Sequence, residues 1–268
     1  MSRNVPSRSR RPVLGPSSEG FLKAATIPAE RATASAGYPF SIPAVRALVA
    51  PHALAFHPRV TFFVGENGTG KSTLIEAIAV AAGFNAEGGS KNFNFATKRT
   101  ESKLHEVIRL VRGFRRERGG FFLRAESLYN VATQIEELAK EGGPDLLAAY
   151  GGSSLHEQSH GESFMALVLH RFHSQGLYVL DEPEAALSPR RQLALLALIH
   201  THVTERGSQF VIATHSPILL AYPAASIFQL SDEGIAPIAY EETEHFQVTL
   251  DFLANRETYL RHLLSGTD

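Results

Sequence analysis

The chain has 268 residues, 44% of them hydrophobic and 20% charged, with a formal net charge of -1. That suffices for one large domain, or one domain carrying an inserted lobe, and the balanced charge gives no global bias toward nucleic acid or membrane. The absence of cysteine excludes disulfides, thiolate metal sites and a cysteine nucleophile, and it favours a reducing, cytoplasmic setting.

Residues 1–19 are rich in Arg, Ser and Pro and lack the apolar centre of a secretion signal. They read as a flexible basic arm ahead of a domain over 20–268, its arginines either solvated or touching a phosphate backbone. Residues 60–64, VTFFV, form an apolar, β-branched and aromatic run that predicts a buried strand. A glycine-rich turn follows, then apolar residues at helical spacing over 72–83, stopping at Gly83. Residues 85–104 are polar and irregular, and 105–118 read as a basic helix. A strand is expected over 119–127, a helix over 129–149 broken at GGP, a loop over 151–163 and an apolar helix from 164. Residues 85–165 thus read as an inserted helical and basic lobe. Buried strands follow at 176–183 and 209–217, separated by a helix with Pro189 at its start. Residues 226–232 and 234–242 suggest a hairpin, and 245–264 a closing helix. Strands alternating with helices predict an α/β sandwich around a mainly parallel sheet. No apolar run reaches the ~18–20 residues that a bilayer crossing needs, so no membrane partner is expected.

Gly65-x4-Gly70-Lys71-Ser72 fits the phosphate-loop pattern without a gap. Wrapping a triphosphate in backbone N–H groups requires a tight turn free of bulky side chains, which Gly65, Gly68 and Gly70 permit. Asn67, Thr69 and Thr73 complete the expected nucleotide-binding stretch. Lys71 brings a point charge to the β- and γ-phosphates, Ser72 a hydroxyl for Mg²⁺, and the following helix aims its positive end at the phosphates. The competing reading is a glycine-rich turn with an accidental Lys-Ser. A strand before it and a helix after it favour the phosphate loop.

In LYVLDEP, Asp181 and Glu182 close a buried strand, at the sheet edge where open α/β sheets bind ligands. Asp181 is expected to hold Mg²⁺, directly or through water, and Glu182 to orient or deprotonate an attacking water. A surface Asp-Glu pair after a strand is the plain alternative. The pairing of this strand with a phosphate loop weakens it and predicts an ATP hydrolase, with ATP and Mg²⁺ as its cofactors.

These motifs together resemble the ATP-binding-cassette (ABC) superfamily. Its signature, Leu-Ser-Gly-Gly-Gln, is similar to Gln158-Ser159-His160-Gly161-Glu162, which keeps the Ser and the second Gly and puts His160 at the first. The resemblance implies that Ser159 and Gly161 complete the nucleotide site of a second copy in a head-to-tail homodimer. Equally, Ser159 and Glu162 form an ordinary capping box, and both readings hold together. PEAALSP resembles the D-loop, with Ser188 where Asp is usual. His215 in ATHSP resembles the switch histidine that senses the γ-phosphate. The expected Q-loop glutamine is missing: Glu126 replaces it, or Gln134 lies in its place. Tyr38 and Phe40 are candidates for stacking on adenine.

Within the superfamily, GENGTGKST, SHGES, DEPEAALSP and THSP resemble the SMC/RecF-like branch of predicted ATPases more than transporter subunits. The short interval from Lys71 to Asp181 leaves no room for coiled-coil arms. The branch implies a switch or clamp, in DNA maintenance or in defence. A transporter's nucleotide-binding subunit and a slowly turning regulatory module acting on an effector protein are the rival readings. Over 91–124 the chain carries ten Lys or Arg against three Asp or Glu. In SMC-like heads such a lobe faces DNA, so nucleic acid is an expected partner there, against the alternative of a solvated basic surface.

Overall fold

The computed structural model describes residues 19–32, 37–91, 102–142, 156 and 158–265. The expected basic arm up to residue 18, and all of 92–101 and 143–155, lie outside the described residues. The chain opens with β1 (Leu22–Thr26), α1 (Ala29–Ala32), α2 (Pro43–Arg46) and β2 (Leu54–Ala55). Then come β3 (Val60–Val64), α3 (Lys71–Ala81), α4 (Leu104–Val107), β4 (Arg109–Arg112), β5 (Gly119–Arg124) and α5 (Leu128–Gly142). The second half runs α6 (His160–Arg171), β6 (Gly176–Asp181), α7 (Pro189–Thr204), β7 (Gln209–Ala213) and α8 (Pro217–Leu220). It closes with β8 (Ser226–Ser231), β9 (Gly234–Pro237), α9 (Glu244–Ala254) and α10 (Arg256–Leu264).

The main sheet has six strands in the order β5-β6-β7-β3-β8-β9, parallel except for the β8–β9 hairpin. Every residue of β3, β6 and β7 is buried. Strands covered on both faces need apolar side chains at successive positions rather than alternate ones. Phe62, Tyr178, Leu180 and Ile212 point to one face, where they pack with Phe164, Leu167, Leu195 and Ile199 of α6 and α7. Phe63, Val179 and Val211 point to the other, against Leu74, Ile75 and Ile78 of α3. This is the α/β layering expected from the sequence.

Several expectations change. Residues 105–118 form no long helix: α4 ends at Val107, and β4 follows. Leu110 and Arg112 turn inward while Arg109 and Val111 face solvent, a two-residue alternation that a strand satisfies and a helix does not. β4 pairs antiparallel with β1, and β1 with β2, giving a small sheet β2-β1-β4 that the sequence reading did not contain. The closing helix is two helices that meet at Asn255. Residues 85–165, read as an inserted lobe, contribute β5 to the main sheet itself. No described helix is long and apolar enough to cross a membrane.

One side chain joins the two sheets. Gln209, 1% exposed at the start of β7, accepts from the Leu22 N–H (2.8 Å) and donates to the Leu22 and His57 carbonyls (2.9 and 3.0 Å). Gln209→Leu keeps the volume and strands three buried backbone groups, so it should cost about 3 kcal/mol. Urea unfolding checks this: the midpoint should fall with the slope unchanged.

Candidate functional site

The parallel register lines up one row across the sheet: Arg124 on β5 opposite Asp181 on β6, Asp181 opposite Ala213 on β7, and Ala213 opposite Phe63 on β3. The strands end at this row, or one residue past it for β3, and backbone bonds keep the row in step. The Glu182 N–H reaches the Ala213 carbonyl (2.9 Å) and the Thr214 N–H the Phe63 carbonyl (3.1 Å). Strands far apart in sequence therefore deliver Gly65, Glu182 and His215 to the same edge.

The loop between β3 and α3 turns through left-handed backbone at Gly68 (φ 85°) and Gly70 (φ 96°). A Cβ on Gly65 would strike the Leu230 carbonyl oxygen, and one on Gly70 would come within 2.7 Å of Ile42. Gly68 has open space around it, which suits close approach of a ligand to the backbone. α3 begins at Lys71 with no side-chain cap, leaving its first-turn amides for an anion. The Lys71 ammonium, 4% exposed, donates to the Glu66 carbonyl (3.0 Å), which also accepts from the Thr69 hydroxyl (2.8 Å). Burial lowers its pKa against the opposing pull of Glu182 and Asp181.

The Ser72 hydroxyl donates to Asp181 Oδ1 across 3.4 Å. Burial raises the Asp181 pKa to about 7, although Arg124 opposes the shift. Arg124 Nε lies 3.4 Å from Asp181 Oδ2, and its Nη1 donates to Glu76 of α3 at 2.7 Å. Two oxygen donors of this kind, one charged, fit the hard Mg²⁺ ion, which keeps most of its shell for water and phosphate. The loop's open backbone at Gly68 and the buried ammonium likewise fit a polyphosphate.

Past β6, Glu182 adopts a left-handed conformation (φ 48°). Its carboxylate lies 3.5 Å from Nε2 of His215, outside hydrogen-bond geometry. Glu184, whose pKa burial raises, accepts from the His215 N–H (2.5 Å) and the Thr214 hydroxyl (2.7 Å), tying the turn after β6 to the loop after β7. His215 Nδ1 meets His245 Nε2 of α9 at 2.8 Å. Among the described residues, three cavities line this edge. One of about 690 Å³ is lined by residues 64–69, 229–233 and 243–245. One of about 620 Å³ joins Glu66 and Asn67 to Glu182, His215 and His245. The third, about 180 Å³, holds Ser72, Arg124, Glu126, Asp181, Glu182 and His160.

Ser159 caps α6, and the Glu162 carboxylate accepts from its N–H (3.0 Å) and its hydroxyl (2.6 Å). Arg191 pairs with Glu162 at 3.2 Å, and a Cβ on Gly161 would collide with Arg191 and the Ala186 carbonyl. His160 lines the same cavity as Ser72 and Asp181 of its own chain, closer to them than the resemblance implies. Ser188 caps α7, accepting from the Arg191 N–H (3.4 Å). Glu126 lines the 180 Å³ cavity, whereas Gln134 sits on α5 and bonds Glu137 (2.6 Å). The Tyr38 hydroxyl meets Thr73 at 3.1 Å, while Phe40 packs on the core. Arg124, Glu184 and His245 had not been singled out in the sequence. Only Arg124 carried a signal: a charge ending the apolar strand expected over 119–127.

Residues 44–145 match the family described as "AAA domain", and residues 157–221 that described as "AAA domain, putative AbiEii toxin, Type IV TA system". No curated relative matches the chain. Similar solved structures include the SMC head domain from Thermotoga maritima, 17% identical over 70% of this chain and 93% of that one, with a TM-score of 0.38. Another is cbiO1 from Clostridium perfringens, part of the ABC transporter complex cbiONQ. It is 16% identical over 93% of this chain and all of that one (100%), with a TM-score of 0.45. The two family matches, both to AAA-type domains, lie on either side of residue 150.

The buried Asp181 carboxylate sets a pH test. Its folded pKa of about 7 lies above its ordinary 3.8, so the folded chain binds the proton more tightly. Stability from this group is present at low pH and lost as pH rises through about 7. Without metal or nucleotide, Asp181→Asn should therefore melt higher than wild type. The gain should be small near about pH 5 and several degrees larger near about pH 8, as read by paired thermal melts.

Proposed function

We propose that this chain binds MgATP at the β3–α3 loop, hydrolyses it, and closes head-to-tail with a second copy around two nucleotides. The observation that carries the reading is the single sheet edge at which Ser72 and Asp181 lie 3.4 Å apart and Glu182 and His215 lie 3.5 Å apart. The glycine-rich loop opens beside them.

In this reading the loop amides at residues 65–70 and Lys71 hold the phosphates, with Asn67, Thr69 and Thr73 at their flanks. Ser72 and Asp181 hold Mg²⁺, which would neutralise charge on the phosphate oxygens. Glu182 orients a water for attack on the γ-phosphorus and receives its proton, while ADP departs as the leaving group. His215 contacts the γ-phosphate oxygens, and its loop moves with Glu184 when the phosphate leaves. Ser159 and Gly161, at the N-terminus of α6, present amides and a hydroxyl to the partner's nucleotide. Hydrolysis reopens the pair, making it a switch or clamp. A defence setting accords with the toxin–antitoxin description of one matching family, and a DNA-maintenance setting with the SMC-like motifs.

Solution mass tests this reading. Glu182→Gln removes the water-activating carboxylate and should convert from monomer to dimer on adding MgATP, and Glu182→Gln combined with Ser159→Arg should not. A mass unmoved by MgATP would leave SHGES a helix cap only. Closure without phosphate release in the wild type would favour the regulatory module.

A nucleic-acid surface is favoured by one cluster. Lys103, Arg109, Arg115, Arg116 and Arg118 all face solvent, and Phe114, next to Arg115 in the chain, is 94% exposed. Lys91, Arg112 and Arg124 are instead paired with Glu117, Glu76 or Asp181. Arg115→Glu with Arg116→Glu should weaken duplex binding in MgATP about tenfold or more and flatten its dependence on salt. Titration of a labelled duplex at several salt concentrations reads both effects, and salt-independent binding would remove this surface.

A further inference from the structure

The switch-like loop after β7 is held by a part of the chain that no motif marks. The start of α9 is fastened beside it at several points. The Tyr240 hydroxyl donates to the Pro217 carbonyl at 3.0 Å, two residues past His215. The Thr243 side chain, buried, donates to the Tyr240 carbonyl (2.7 Å) and accepts from the Phe246 N–H (3.4 Å), which sets the first turn of the helix. Two positions on, His245 meets His215 Nδ1 at 2.8 Å, with ring centroids 5.0 Å apart. The rest of α9 buries no residue, so this end is where the helix engages the domain.

A hydrogen bond between two neutral imidazoles needs one N–H and one lone pair. The far nitrogen of His215, Nε2, faces the Glu182 carboxylate at 3.5 Å. An ionised carboxylate only accepts, so a bare Nε2 lone pair there is repelled and an Nε2–H is attracted. With the proton on Nε2, Nδ1 is the acceptor, and His245 Nε2–H must be the donor. Burial, with the nearby Lys71 ammonium adding to it, lowers the pKa of both rings, consistent with both being neutral.

We propose that His245 is a positioning residue: it donates to His215 Nδ1, fixes the tautomer that carries the proton on Nε2, and so aims an N–H donor at Glu182 and the γ-phosphate position. The inference rests on the ATPase reading for its kinetic effect but not for its geometry. Support of this kind for a functional histidine is commonly worth 10- to 100-fold, by analogy with histidines that bind metals.

The test uses the full chain with MgATP. His245→Ala should lower kcat about tenfold while leaving KM for ATP within about twofold. His245→Gln, which offers an amide N–H, should recover most of the rate. The double variant His215→Ala, His245→Ala should be no slower than His215→Ala alone, because the positioning group has nothing left to position. Imidazole ¹⁵N shifts should show His215 as the Nε2–H tautomer in the wild type and a tautomer mixture in His245→Ala. An unchanged kcat in His245→Ala, a loss that persists undiminished without His215, or no recovery in His245→Gln would overturn the proposal. If the wild type itself releases no phosphate, the ATPase reading fails, and the ¹⁵N shifts alone decide the role of His245.

Discussion

A guanidinium set among three carboxylates fixes the spacing on which the site depends. Arg124 reaches Glu76 on the helix behind the phosphate loop (2.7 Å), Asp181 at the end of β6 (3.4 Å) and, more distantly, Glu126 (3.9 Å). The helix and the strand belong to different parts of the chain, and no backbone bond joins them directly. Buried ion pairs of this kind add little net stability, because desolvation offsets the attraction, but they penalise any arrangement that leaves a partner unpaired. Here that penalty resists drift of the Ser72 hydroxyl from the Asp181 carboxylate. The same desolvation leaves Asp181 reluctant to ionise, so a divalent cation arriving there would meet a carboxyl group whose charge the protein alone holds at a cost.

The parts of the site readable from sequence were those whose geometry is local. The glycine loop, the strand before it and the helix after it occupy one continuous segment, and the two DEP and THSP turns each close an all-apolar run. Those runs could only be strands buried on both faces. β4 was missed because Arg-Leu-Val-Arg sits among many arginines, and its strand character comes from pairing with β1, a partner far away in sequence. Short strands have weak intrinsic preference and take their state from their neighbours. Glu184 and His245 were hidden for the same reason: each acts through a contact about thirty residues away, and nothing in the sequence around either marks it.

The start of α6 shows one side chain serving two demands. The Ser159 hydroxyl donates to the carboxylate of Glu162, and Arg191 balances that carboxylate. This is sound local chemistry for a helix end, and it orders the segment before any ligand arrives. Engaging a partner's phosphate with the same hydroxyl would require trading the Glu162 acceptor for a phosphate oxygen. Arg191, already touching both Ser159 and Glu162, is placed to accompany that exchange. The absence of a Cβ at Gly161 is what lets Arg191 lie against the helix.

The strand order carries a consequence for how the protein is made. β3, which holds the phosphate loop, sits between β7 and β8, while β5 and β6 lie beyond β7. The strand thus leaves the ribosome with neither neighbour synthesised, and roughly 145 more residues must follow before β7 appears. At about 5–20 residues per second that interval is on the order of ten seconds or more. During it VTFFV is an apolar segment without a sheet, and β1 waits longer still for Gln209. The loop after β3 therefore gains its surroundings late, only once β7 and β8 have entered the sheet on either side of β3. On the proposed reading, a nascent chain should gain affinity for ATP abruptly once β7 and β8 have emerged rather than by degrees, and before that point VTFFV is the stretch a chaperone has most reason to cover.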